Sequence, residues 1–144
     1  MSDVIVLVES HYRSRSWFLA LKDIGLTHII SVMPEEYKNF LKAGFPDKNI
    51  CNLYFSQKQI DNNFLLEKLE YYENFLGINF NNVVNTDRTL RKKSQYYINQ
   101  YLYYLVKKLE EFFKNAKPKI IFIEPTWTHE IIICYFAKKY NVLI

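Results

Sequence analysis

"VIVLVESHYRSRSWFLALKDIG", Val4 to Gly25, is the stretch on which the fold turns. Val4 to Val8 is a short apolar run rich in β-branched residues, the composition of a strand covered on both faces. Trp17, Phe18, Leu21 and Ile24 then recur at helical spacing, and Gly25 stops the helix. The unit is therefore strand, loop, helix. It repeats at once: "THIISVM" (Thr27 to Met33) reads as a second strand, "PEEYKNFLKAG" as a helix with Pro34 at its start and Gly44 at its end, and "NICNLYF" (Asn49 to Phe55) as a third strand.

Apolar strands that alternate with helices imply a parallel sheet, because each crossover helix must lie on the sheet and shield it. The middle of the chain breaks the alternation. Gln57 to Leu76 reads as helical, residues 77–93 as irregular, and Ser94 to Asn115 as a long amphipathic helix. Its stripe of Ile98, Tyr101, Leu102, Leu105, Leu109, Phe112 and Phe113 follows the spacing of a buried face and is read as core packing. After Pro118, "KIIFIEP" (Lys119 to Pro125) forms a fourth strand, His129 to Tyr140 a helix, and Val142 to Ile144 the beginning of a fifth strand. The expectation is an α/β, three-layer α/β/α Rossmann-like domain over residues 1–144, with four to five parallel strands in the order 3-2-1-4-5 and a helical insertion between strands 3 and 4. A strand averages roughly five to six residues, so the chain is also expected to be the N-terminal fragment of a longer two-domain protein.

Composition sets the outer bounds. A chain of 144 residues with 49% hydrophobic content fits one domain with a real core. Cys51 and Cys134 lie 83 positions apart with no His or Cys at metal spacing nearby, so both are read as buried thiols and no metal site is expected. The N-terminal apolar run is too short for a secretory or membrane-spanning segment, which gives a cytoplasmic expectation. The formal charge of +4 is spread along the chain. It permits an anionic ligand or peripheral association with a membrane surface, and nucleic acid is not expected as a partner. An open strand edge invites pairing between chains, hence a homo-oligomer.

In the expected strand order the first and fourth strands are neighbours, and the loops after them meet at the topological switch point where such sheets bind ligands. The first loop carries Ser10, His11, Arg13 and Arg15 beside a helix N-terminus, a setting for an anionic or polyhydroxylated ligand. The alternative is that Ser10 or Ser14 caps the helix, His11 points to solvent and the arginines pair with acidic neighbours. No glycine lies between Val4 and Ile24, so neither the dinucleotide fingerprint nor a P-loop can be built there. A phosphorelay receiver is disfavoured too, since only Glu9 follows strand one and Ser56 stands at the end of strand three.

In the fourth loop, "EPTWTHE" (Glu124 to Glu130), Thr126 or Thr128 can cap the coming helix and Glu130 suits its first turn. Trp127 either tucks back onto the sheet edge or offers a stacking face. His129 with Glu130 is a candidate ligand contact. Asp87 and Arg88 form the third feature, a charged pair in a stretch expected to be a loop.

Taken together, the "ES" loop, the insertion carrying "NVVNTDRTLRK" and the segment "KPKIIFIEPTWTHEIIICYFAKKYNV" resemble the N-terminal half of bacterial capsular and surface polysaccharide glycosyltransferases of GT-B architecture. The resemblance spans nearly the whole chain. It implies two facing Rossmann-like halves, the N-terminal one binding a saccharide acceptor and the C-terminal one binding a nucleotide-sugar donor. It places Ser10 to Arg15, Asp87, Arg88 and Thr126 to Glu130 on the cleft, with His11, His129 or Glu130 as candidate bases for an acceptor hydroxyl. Arg13, Arg15 and Arg88 would hold anionic groups, and Ser10, Asp87, Thr126 and Trp127 would contact substrate. The sequence departs from the group in having no donor-binding half, so the isolated chain is expected to be inactive, with no cofactor of its own. It also has Asn141 where the group often has Gly. The alternative from another class is a non-catalytic α/β binding or assembly module with an aromatic docking surface.

Overall fold

The computed structural model describes residues 2–9 and 13–144, with the backbone alone for residues 13–17. The fold is α/β, a four-stranded all-parallel sheet in the order β3-β2-β1-β4 flanked by helices. The elements run β1 (Ile5–Val8), α1 (Arg13–Lys22), β2 (His28–Ser31), α2 (Pro34–Lys42), β3 (Ile50–Asn52), α3 (Asn62–Leu76), α4 (Phe80–Thr86), α5 (Gln95–Ala116), β4 (Ile120–Phe122) and α6 (Thr128–Lys139). The expected fifth strand is present as one bridge: Leu143 lies parallel to Ile120, and Ile121 N–H donates to the Leu143 carbonyl at 2.9 Å.

Successive strand residues face opposite ways, and the two faces differ in depth. Ile29 and Ile50 meet Phe40 of α2 on one face, with Phe18, Leu26, Tyr37 and Phe45 packed around them. Val6, Val8, Ile30 and Ile121 meet the larger core on the other, built from α3, α4, α5 and α6. Leu105 and Leu109 of α5 are fully buried there, each contributing about 1.5–3 kcal/mol of burial. Phe113 of α5 stacks on Phe136 of α6, centroids 5.5 Å apart.

The expected helix stops hold. Gly44 follows α2 at φ +85°, and Asn141 takes the left-handed conformation at φ +56° after α6, where Val142 N–H closes onto the Ala137 carbonyl at 2.8 Å. The insertion departs from expectation at two places. The helix read from Gln57 begins at Asn62, where Asp61 accepts from Phe64 N–H. The third strand, expected to reach Phe55, ends at Asn52, and residues 53–61 form a strap over α5 without regular secondary structure: Lys58 N–H donates to Gln100 Oε1, Ile60 N–H donates to the Tyr96 hydroxyl, and that hydroxyl donates to the Ile60 carbonyl. With those donors and acceptors met by side chains, the strap needs no helical bonds. Conversely, the stretch read as irregular contains α4, capped by Asn79 and driven by burial of Phe80, Val83 and Val84.

Candidate functional site

Because β1 pairs in parallel with both β2 and β4, the segments that follow the strands leave from one edge of the sheet. At that edge lies a pocket of about 290 Å³ lined by Val32 and Met33 after β2, Asp87, Thr89, Leu90 and Lys93 between α4 and α5, Tyr97 and Tyr101 of α5, and Trp127 and His129 at the start of α6. Three of the residues singled out from sequence, Asp87, Trp127 and His129, therefore share one cavity.

The pocket's walls are set by buried carboxylates. Asp87 Oδ1 accepts from Thr89 N–H at 3.0 Å and Leu90 N–H at 2.8 Å, and its Oδ2 accepts from Thr128 N–H at 3.2 Å. It thus pins the turn before α5 to the start of α6. Burial raises its pKa, but the N–H groups of Leu90 and Thr128 outweigh that and hold the carboxyl below its ordinary value. Glu130 Oε2 accepts from Thr126 N–H at 2.7 Å and Trp127 N–H at 2.9 Å. The cap of α6 is therefore Glu130 reaching back, with Trp127 at the N-cap position, and neither threonine supplies a cap side chain. This corrects the threonine-cap expectation: Thr128 is the first helical residue, and a carboxylate two residues on meets the orphan donors.

The third carboxylate, Glu9, closes β1 and is fully buried. Its Oε2 accepts from the Ser31 hydroxyl and from the N–H groups of Val32 and Met33 at 3.3, 3.2 and 3.4 Å. Among the described residues its Oε1 has no hydrogen-bond partner. Burial pushes its pKa up against those hydrogen bonds. Glu9 was noted in the sequence only as a single acid after strand one, yet it fastens the two residues that form the β2 side of the pocket.

His129 is buried, its Nε2 3.7 Å from Glu130 Oε1. Among the residues lining the pocket it is the group whose chemistry suits taking a proton from a hydroxyl near neutral pH. Trp127 is half-buried and lines the cavity at the sheet edge. Thr126 is exposed and reaches the site through its N–H alone. Arg88 is exposed on the turn beside Asp87 and does not line the pocket. Ser10 and His11 lie outside the described residues, and Arg13 and Arg15 enter only through the backbone of α1's first turn.

Sequence reading passed over Tyr97 and placed Tyr101 in the buried stripe of α5 as core packing. The two sit four apart on the first two turns of α5, pack against the core and also line the pocket. Burial and the Asp87 charge push the Tyr101 phenol well above its ordinary value, so it remains a neutral hydroxyl. Cys51 and Cys134 are free thiols, and burial pushes Cys51 up to about 12. Among the described residues no cluster of His, Cys, Asp or Glu is placed to hold a metal ion, and no helix is long and apolar enough to cross a membrane. No protein-family model, curated protein or solved structure matches the chain.

Proposed function

We propose that this chain is the acceptor-side domain of a glycosyltransferase that builds a surface (capsular) polysaccharide, and that the pocket at the sheet edge holds the saccharide acceptor. The observation that carries the reading is the pocket's composition: the aromatic residues Tyr97, Tyr101 and Trp127 line it together with His129, which would serve as a base for an acceptor hydroxyl. Asp87 and Glu130, both engaged by backbone N–H groups, hold the loops in place. That assigns them positioning roles in this reading, and Glu130 is a weaker candidate base than His129. The nucleotide-sugar donor belongs to a second half, so transfer requires that half.

The test is ligand-observed NMR and calorimetry with short oligosaccharides and a panel of nucleotide sugars. Saccharides are expected to bind, with Trp127→Ala weakening them by about tenfold, and nucleotide sugars are expected not to bind this chain alone. Micromolar nucleotide-sugar binding without saccharide binding would overturn the assignment.

The engagement of both carboxylates also supports a second reading, a non-catalytic binding or assembly module. His129→Gln separates the two: in the complete enzyme it abolishes turnover with saccharide affinity retained, whereas a module would be unaffected in partner binding.

A further inference from the structure

We propose that the pocket takes a single sugar ring bearing an anionic substituent, the ring against Tyr101 and Trp127 and the carboxylate or phosphate at Lys93, over the Tyr97 ring. The inference rests on the saccharide reading above and adds the charge and size of the ligand. At about 290 Å³ the cavity stands at the lower end of ligand pockets, which run roughly 300–1,000 Å³. That is room for one ring rather than an oligosaccharide.

The charge follows from the turn between α4 and α5. Arg88, Arg91, Lys92 and Lys93 are all exposed within six residues. The one acid among them, Asp87, turns both oxygens onto backbone N–H groups. No acidic side chain follows in the first turn of α5. Of the four cations, Lys93 lines the pocket. Its Nζ lies 5.5 Å from the centroid of the Tyr97 ring, and it takes part in neither of the ion pairs found among the described residues.

The ammonium thus lies over the Tyr97 ring, at the aromatic wall of the pocket. A sugar ring held in the pocket against Trp127 and Tyr101 carries an exocyclic acid group to that ammonium, where a compact point charge suits carboxylate or phosphate. Asp87 opposes an anion in the same cavity, but its charge is met by three N–H donors, while Lys93 is open to the ligand. A neutral sugar gains the stacking and not the charge pair.

The experiment titrates the full chain with methyl β-glucuronide, glucose 6-phosphate, methyl β-glucoside and inorganic phosphate, in wild type, Lys93→Gln and a Lys48→Gln control. Lys48 lies in a different cavity, beside β3. Since Lys93 is exposed, the variant should fold, and circular dichroism checks that it does. The expected result is that one of the two anionic sugars binds at least about tenfold more tightly than the glucoside. Lys93→Gln should erase that preference and leave glucoside binding in place, and rising salt should weaken the anionic sugar alone. Whichever anionic sugar leads identifies the acid group. Equal binding of neutral and anionic sugars, or a preference that survives Lys93→Gln, would overturn the inference and leave the saccharide reading standing. Inorganic phosphate bound as tightly as the sugar phosphate would overturn the ring's part. Failure of every sugar to bind would overturn the saccharide reading itself.

Discussion

Asp87 and Glu9 are both buried acids next to the pocket, yet their environments drive them in opposite directions. Asp87 meets three N–H donors and titrates below its ordinary value of 3.8, so its contribution to stability is present above that pH and is lost as the pH falls through the lower folded value. Replacing it with Ala strands the N–H groups of Leu90 and Thr128, at a cost of about 2–4 kcal/mol, which a urea denaturation series would read; a loss under about 0.5 kcal/mol would show that the carboxylate is not the lock described. Glu9 has one oxygen without a partner among the described residues, and burial dominates it, raising its pKa above 4.5. The native state therefore binds that proton more tightly than the unfolded chain does. The resulting stability is full below pH 4.5 and is lost as the pH rises through the folded value. Stability compared across pH 4 to 8 should show Glu9→Gln gaining on wild type as the pH rises; parallel curves would contradict the desolvated carboxyl.

At the scale of elements, the strap of residues 53–61 shows what spacing alone does not encode. It has no secondary structure of its own, and two side chains of α5 hold it. Removing one hydroxyl should release it: Tyr96→Phe takes away both the acceptor for Ile60 N–H and the donor to the Ile60 carbonyl. Amide exchange at Ile60 should then accelerate by about tenfold while the core of α5 keeps its protection. Unchanged exchange at Ile60 would mean that the strap is held by packing, for instance by Phe55 against Tyr97, Tyr101 and Tyr104. The helices themselves were largely legible. α5 was read to within one residue at each end because its stripe is regular and Ser94 caps it, with the Ser94 hydroxyl accepting from Tyr97 N–H. α4 was not, because its seven residues carry Asn at three positions and its helicity comes from tertiary burial rather than propensity.

At the scale of the whole molecule, the unequal faces of the sheet have a dynamic consequence. α5 lies in the large core, whereas α2 is fixed mainly through Phe40 in the small cluster with Ile29 and Ile50. Hydrogen exchange should therefore show α2 opening at lower free energy than α5, which should exchange only through global unfolding. Equal protection of the two helices would indicate that the sheet and both layers unfold as one unit.

The sequence by itself determined the strand-helix alternation and hence the parallel sheet, because apolar runs and helix stops act within a few positions of one another; the strand order followed from the usual order of doubly wound sheets with right-handed crossovers. It also placed the loop after the fourth strand beside the end of the first, since β-α-β handedness brings the two together. Which side chains form the pocket was decided by tertiary structure alone. Asp87 is 41 positions from the Thr128 N–H it accepts, and Glu9 is 23 from that of Val32. Tyr97 and Tyr101 face the pocket only because of how α5 lies across the sheet edge. Hydrogen bonds between residues so far apart carry no signature in local spacing. The roles of "EPTWTHE" therefore separated only once folded: Glu130 builds the loop, and Trp127 and His129 face the cavity.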